Sequence, residues 1–350
     1  MKKPWRLPAI ALWAFPALGL LVLIAILLDL ALGTVAIPLQ DVLMILTGGV
    51  PQKATWATIV LEFRLPRAMA ATLAGAALAA SGLALQALFA NPLAGPFALG
   101  ISSGASLGVA LVVLGSGTGG WFAGLTRLAE LGSVAAASLG GAAVLVVLLV
   151  VARRLRGVAT LLLLGLMSGY VTGALVNLLV YRAAPEQVQT YLVWSAGSFG
   201  GVSPAQLSVL VPVVGLGLVA LVPLARPLNL LLLGEAQAQA LGLRAARLRL
   251  GIIAATALLA GGVTAFCGPV AFLDIAVPHL CRGILRTADH RLLLPASILM
   301  GALLALIADL VCQLAGGGQG VLPLNTVTAL IGAPVVVAVI LRTRNRSPLD

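Results

Sequence analysis

An all-α integral membrane protein of about ten spans is the fold class that three observations predict. The 350-residue chain is 61% hydrophobic and only 9% charged, where a soluble domain carries roughly a quarter charged residues. Its apolar residues come in runs of helix-spanning length, without the strict alternation of a barrel strand. Its 21 Lys and Arg residues gather at the ends of those runs, so the net charge of +11 reads as a topology signal and not as a nucleic-acid surface. No long linker or soluble-looking block interrupts the pattern, and residues 1–350 read as a single transmembrane domain.

In chain order, the first span is expected over residues 9–32. Lys2, Lys3 and Arg6 precede it as in a signal peptide, but no clear small-residue cleavage site follows, so the span reads as retained. Residues 33–63, broken by Gly33, Gly48-Gly49 and Pro51, should lie outside. Spans two and three, at 66–88 and 95–115, are joined by a tight Asn91-Pro92 turn. A glycine-rich outer loop over 116–129 leads to span four at 130–152, which ends at Arg153-Arg154-Leu155-Arg156. Span five follows at 158–180, and residues 181–203 suit an outer loop with one short helix. The remaining spans are expected at 204–224, 250–266, 270–285, 292–315 and 323–341, with Gly268-Pro269 breaking the chain between the seventh and eighth. Only Lys53, Arg64, Arg67, Arg127 and Arg182 of the 21 basic residues then lie outside, which places both termini in the cytosol.

Between spans six and seven, residues 226–250 read RPLNLLLLGEAQAQALGLRAARLRL, the longest stretch of the second half that could live in water. Two short helical pieces fit it. One ends near Gly234 and one runs from Glu235 to about Leu241, with Gly242 as a left-handed stop. Such a pair, held between two spans on the positive side, is shaped to touch a partner.

Candidate chemistry is sparse. No Gly-x-x-x-x-Gly-Lys-Ser/Thr occurs, and Lys is found only at 2, 3 and 53; an ATP-driven activity therefore needs a second polypeptide to hold the nucleotide. Gly100-Ile101-Ser102-Ser103-Gly104 has the spacing of a nucleophile elbow. That elbow joins a strand to a helix and needs His and acid partners, whereas this segment opens an apolar helix. His279, Cys281 and His290 lack a metal-binding spacing, so no metal is expected. Cys267, Cys281 and Cys312 form no CxxC pair and read as packing thiols.

Carboxylates within spans are costly and tend to be functional. Asp274 reads as lining a polar pathway or sitting protonated among neighbours, Asp309 as a hydrogen bond between helices, and Asp29 as an interfacial residue. Arg64-Leu65-Pro66-Arg67 reads equally well as two cations for an acidic outside partner or as anchors at the membrane surface. Gly100, Gly104 and Gly108, and likewise Gly165, Gly169 and Gly173, recur every four residues. Close helix packing is the leading reading, with a pore lining as the alternative for some faces.

Taken together, several segments resemble the FecCD/BtuC-like permeases, the membrane subunits of ABC importers for iron-siderophores, haem and cobalamin. They are RLPR at 64–67, the run from Gly75 through Ser81-Gly82 to Gln86, Asn91-Pro92-Leu93-Ala94 with Leu99-Gly100, and LNLLLLGEAQAQALGL at 228–243. GPVAF at 268–272, VPH at 277–279, DHRLLLP at 289–295 and TALIGAP at 328–334 complete the ordered set. The resemblance implies a ten-helix subunit in the bacterial inner membrane, in contact with lipid and paired with an identical or closely related permease. It also implies two cytosolic ABC ATPases, which hold ATP-Mg, and a periplasmic or lipid-anchored binding protein. Nucleic acid is not among the implied partners, and no cofactor is expected on this chain.

Carried onto these residues, the resemblance makes Leu228, Asn229, Gly234, Glu235, Ala238, Leu241 and Gly242 the ATPase-coupling element. It turns Arg64, with Arg67 beside it, towards docking of the binding protein. Gln86, Asn91, Asp274, His279 and Asn325 are the candidates for the translocation path. The chain departs from the family pattern at Ala90, usually Arg, at Gly95, usually Asp, and at Asp274, commonly Gly. It departs again at Cys312-Gln313, where a second docking arginine often stands, and at 321–325, where Val-Leu-Pro-Leu-Asn replaces Glu-x-Pro-x-Gly. The expected function is import of an iron chelate, ferric siderophore first and then haem, with cobalamin as the alternative. A proton-driven secondary transporter using Asp274 or Asp309 is the rival from another class.

Overall fold

A helix stands at each of the ten expected spans, but not as ten equal rods. The computed structural model describes residues 9–115, 129–154, 158–315 and 321–344. Lys2, Lys3, Arg6, Arg127, Arg156, Arg346 and nearly all of the expected glycine-rich outer loop lie outside the described residues. Helix α1 (Ala9–Ala31) is followed by two short outer helices, α2 (Leu39–Leu46) and α3 (Ala54–Thr58). The latter runs through a π-turn at Ile59–Arg64 directly into α4 (Leu65–Leu88). The second span therefore belongs to a helix that starts at Ala54, not near residue 66. Pro66 accounts for the π-turn: lacking an N–H, it cannot bond back to the preceding turn, and the helix widens there instead of ending.

Next come α5 (Ile101–Val113), α6 (Ala129–Arg154), α7 (Val158–Arg182) and the outer-loop helix α8 (Pro185–Ser195). Helix α9 (Pro204–Leu221) is capped by Ser203, whose side chain accepts from the Gln206 N–H at 3.3 Å. A 3₁₀ turn at Val222–Leu224 leads to α10 (Ala225–Leu231) and α11 (Glu235–Ala240). The chain then forms α12 (Ala245–Cys267), α13 (Leu273–Leu285), α14 (His290–Ala315) and α15 (Leu324–Arg344).

Seven helical stretches among the described residues are long and apolar enough to cross a membrane. Helices α5, α13 and α15 are not among the seven. The first two have 13 residues each, which is about 20 Å of rise against a core of ~30 Å. The residues expected to begin these two spans form a 3₁₀ turn at Pro96–Leu99 and non-helical backbone at 268–272. Irregular backbone of this kind is tolerated at membrane depth where protein surrounds it.

Helix α4 organises the bundle, packing on α14, α12, α13 and α9. Its middle is almost all Ala and Gly, and Ala70, Ala71, Ala74, Ala77, Ala79 and Ala80 are fully buried. Lipid tails are as apolar as Leu, so helices in lipid are held by close approach, which small residues permit. One such approach faces Gly75 of α4 with Gly301 of α14. A Cβ on Gly75 would come 2.6 Å from the Ala305 Cβ, and one on Gly301 would come 2.6 Å from the Ala79 Cβ. Gly75→Ala is expected to destabilise by about 1–3 kcal/mol through overpacking; denaturation of the purified protein in detergent measures it. Helices α5 and α6 meet similarly, where a Cβ on Gly104 would lie 2.6 Å from the Gly140 carbonyl oxygen. Close packing is thus the role of the 100/104/108 series. Gly173 instead has open space beside it, and a Cβ on Gly169 would meet only the Ser103 Oγ, at 3.4 Å. The outer faces of α6, α7 and α9 present Leu139, Tyr170 and Leu216, as lipid-facing helices do.

Candidate functional site

Three places gather groups fit for a task. They are the inner segment between α9 and α12, a cavity beside α5, and a charged cluster at the outer ends of α1, α4 and α14.

At the inner segment, α10 and α11 are the two expected pieces. Gly234 separates them at φ +95° and Gly242 ends the second at φ +90°. Nothing lies within 4 Å of a Cβ at either position. It is the left-handed backbone, and not space, that asks for glycine. The last turn is closed by the Leu243 N–H, which donates to the Ala238 carbonyl at 3.0 Å. Leu228 and Ala238 are buried and anchor the pieces on the bundle, while Leu232, Leu233 and Leu241 are more than half exposed. These exposed leucines stand beside the polar residues of the segment as an apolar surface. Glu235 pairs with Arg249 of α12 at 3.2 Å. A cleft of about 150 Å³ lies between this pair and the Ala87–Ala90 turn. Asn229 faces the bundle, where it binds Asp289 and His290 at the start of α14.

Beside α5, a cavity of about 250 Å³ is lined by Phe97, Ser103, Ser106, Gly169, Gly173, Val176, Asn177, Tyr191 and Pro269. Its polar groups are all uncharged. Burial pushes the Tyr191 hydroxyl above its ordinary value, against the opposite pull of a hydrogen bond with Ser106, so the phenol is neutral here. A wall of this composition offers many weak contacts and no fixed charge.

None of the five pathway candidates lines this cavity, and each has a place in the framework instead. The Gln86 Oε1 accepts from Arg282 at 2.6 Å. The Asn91 Oδ1 accepts from the Leu93 N–H at 2.9 Å, which forms the expected turn. The His279 Nε2 meets the Pro92 carbonyl at 2.9 Å. Asn325 accepts from the Ala271 N–H at 3.1 Å and donates to the Pro269 and Ser195 carbonyls at 2.8 and 3.3 Å, tying the break after α12 to α8. Asp274 is buried in the first turn of α13 with its carboxylate against Gly95. Asn91, His279 and Asn325 hold irregular backbone, while Gln86 bonds to Arg282. The uncharged groups at 103, 106, 177 and 191, from α5, α7 and α8, are not singled out from the sequence.

At the outer ends of α1, α4 and α14, both arginines of the RLPR segment turn inward. Arg67 makes a two-pronged pair with Asp309, Nε to Oδ2 at 2.6 Å and Nη2 to Oδ1 at 2.8 Å. Arg64 donates to the Leu30 carbonyl at 2.8 Å and to that of Val35. Gln313 donates through Nε2 to Asp29 at 2.6 Å and to Asp309 at 3.0 Å. Asp29, expected at the interface, is in fact buried at 1% exposure. The expected bond between helices at Asp309 is present, as part of a larger network. Arg67 is thus the guanidinium paired with Asp309, while Arg64 is spent on backbone carbonyls and Gln313 joins the two buried carboxyl groups.

Comparison with known proteins follows from this geometry. The model of the FecCD transport family matches residues 21–342. The vitamin B12 import system permease protein BtuC of Klebsiella pneumoniae subsp. pneumoniae is 37% identical over 343 residues, covering 95% of each chain. That of Salmonella typhimurium is 37% identical over 329 residues, covering 93% of this chain and 94% of the relative. A solved structure, described as an inward-facing conformation of a transporter assigned to the metal-chelate ABC type, superposes with a TM-score of 0.81 at 29% identity. The match covers 94% of this chain and 98% of that one.

Proposed function

The chain belongs to the FecCD transport family, as a multi-pass permease of the bacterial inner membrane without an ATPase site of its own, and we propose that its cargo is a metal chelate of the siderophore, haem or corrinoid class. The observation that carries this reading is the uncharged cavity beside α5. A bulky chelate needs a path that releases it as readily as it admits it. Ser103, Ser106, Asn177 and Tyr191 give hydrogen bonds without a charge to trap the cargo. A ferric siderophore is the first reading, from the family resemblance. A corrinoid is the second, favoured by relatives named for vitamin B12 import.

In this proposal ATP-Mg sits on two separate cytosolic ATPases, which press on residues 228–243 through the exposed leucines. A second permease subunit completes the path, and a binding protein delivers cargo from outside. Its acidic groups reach Arg67 only by competing with Asp309. The polar groups of Asp309 are already taken by Arg67 and Gln313, which weighs against its acting as a proton relay.

The test is uptake into proteoliposomes holding the permease with its ATPases and binding protein, with a ferric hydroxamate, haemin and cyanocobalamin as separate probes. ATP-dependent uptake of one of them is expected. Uptake that persists with a hydrolysis-dead ATPase and stops under an uncoupler sinks the proposal in favour of a proton-driven carrier. In the same assay Glu235→Arg with Gly242→Leu should abolish uptake. The leucine must adopt a left-handed backbone at a penalty of roughly 1–2 kcal/mol, which distorts the contact surface. Unchanged uptake by that variant removes residues 228–243 from the coupling role.

A further inference from the structure

We infer that Asn229, bound to Asp289 and His290, is the joint that passes movement of the coupling segment to α14. The inference rests on the importer reading above and names the residues through which a push on α10 enters the bundle.

All of the Asn229 amide is committed to one place on α14. Its Oδ1 accepts twice from His290, from the backbone N–H and from Nδ1, both at 2.8 Å. Its Nδ2 donates to the Asp289 Oδ1 at 2.5 Å. Asp289 stands just before the first residue of α14, and its carbonyl accepts the Leu292 and Leu293 N–H groups at 3.0 and 2.9 Å. Asn229 therefore grips the cap of the helix and its first residue together. Because Nδ1 faces an acceptor, it carries the ring proton. His290 is buried, and its Nε2 has no hydrogen-bond partner among the described residues. The imidazole is thus held by Nδ1 alone, and α10 cannot shift without dragging the start of α14 or breaking these part-buried hydrogen bonds.

What lies beyond this joint suits transmission. Helix α14 has 26 residues and so rises about 39 Å. Midway it is locked against α4 where Gly75 meets Gly301. Near its far end Asp309 holds Arg67 of α4, and Gln313 holds Asp29 of α1. One stiff helix is thus gripped by the coupling segment at one end and by two other helices at the other. Continuous packing of this kind carries a displacement as a body movement. The other link from the segment, Glu235 to Arg249, leaves Glu235 40% exposed, and an exposed pair is a weaker grip.

The test uses the permease assembled with its ATPases and binding protein in proteoliposomes. Ser103→Cys, in the cavity, is present in every arm as a reporter; the native cysteines 267, 281 and 312 are buried. Two quantities are read: ATP hydrolysis, and the ATP-induced change in the rate at which a membrane-impermeant maleimide labels Cys at 103. Asn229→Asp sets a carboxylate against Asp289. It should cut the ATP-induced change per ATP hydrolysed about tenfold, and adding Asp289→Asn should restore the change, because contacting groups couple strongly. His290→Asn keeps a donor near the Nδ1 position and should behave like the parent, whereas His290→Gln should behave like Asn229→Asp. A full labelling change in Asn229→Asp, or a double variant no better than the single one, overturns the inference. Loss of hydrolysis and labelling together in all four variants also overturns it, by showing a role in stability or assembly alone. If the parent reporter itself shows no ATP-induced change, the importer reading fails and this inference with it.

Discussion

Arg67→Met should destabilise the protein by about 3–5 kcal/mol, and Asp309→Asn by roughly 1–3 kcal/mol. The order follows from what each variant leaves behind. With Arg67 gone, Asp29 and Asp309 are two buried carboxylates whose nearest remaining cation, Arg64, is bound to the Leu30 and Val35 carbonyls. Buried charge without a partner is the costly case. Asp309→Asn, in contrast, keeps a carbonyl oxygen for the guanidinium, and Asp29 remains beside it to balance charge. Denaturation in detergent, read as the fraction folded against denaturant, checks the order. A greater loss for Asp309→Asn would show that the cluster is not held by charge balance. Arg67→Lys is expected between the two, since an ammonium supplies the charge without the fork that meets both oxygens of Asp309.

That network also shows what the chain as a string could and could not reveal. The coupling segment was legible because its determinants are local. A polar stretch between two apolar runs, with glycines at 234 and 242, gives two short helices with left-handed ends and nothing else. Helix α4 was legible as a span, but not its start, because Pro66 normally opens a helix and here sits just beyond a π-turn. Asp29 was misread as interfacial because it ends an apolar run. Its burial depends on α14 packing against α1 and bringing Gln313, 284 residues away, to its carboxylate. The family pattern marked residue 313 as the loss of a docking arginine, whereas the fold makes Gln313 the link between two carboxylates. The cavity was illegible for the same reason. Ser103, Asn177 and Tyr191 come from α5, α7 and α8 and share no spacing that periodicity could detect.

Both ends of α14 now carry side-chain contacts that differ in kind. At the inner end the Asn229 contact is an amide hydrogen-bonded to a helix cap. At the outer end Arg67 and Asp309 form a two-pronged ion pair, which tolerates little change of angle. In the proposed coupling, movement begun at α10 would be carried by hydrogen bonds at one end of α14 and by an ion pair at the other. Sliding of α14 along α4 is disfavoured, because Gly75 and Gly301 leave no room for a shift of register.

Gly95→Asp alone should destabilise the fold more than Asp274→Gly alone, and the two changes combined should recover most of what was lost. The two positions are those at which this chain departs in opposite senses from the family pattern, and they touch. A Cβ on Gly95 would stand 3.0 Å from the Asp274 Cγ and closer still to its Oδ2. Asp274 is 3% exposed and accepts from its own N–H and that of Ile275, so its carboxylate satisfies the first turn of α13. Gly95→Asp drives a side chain into an occupied buried space, at about 1–3 kcal/mol, and sets two carboxylates in one site, which adds to that. Asp274→Gly alone removes the carboxylate from the helix start, at roughly 0.5–2 kcal/mol. In the double variant the side chain from residue 95 enters the vacated space and can accept from the same N–H groups. A double-mutant cycle on detergent denaturation should therefore give a favourable coupling of about 1–3 kcal/mol. A double variant as unstable as the two losses added together would show that the carboxylate is tied to α13 itself. Recovery would show that the site needs one carboxylate, supplied in this chain by α13 and not by the turn before α5.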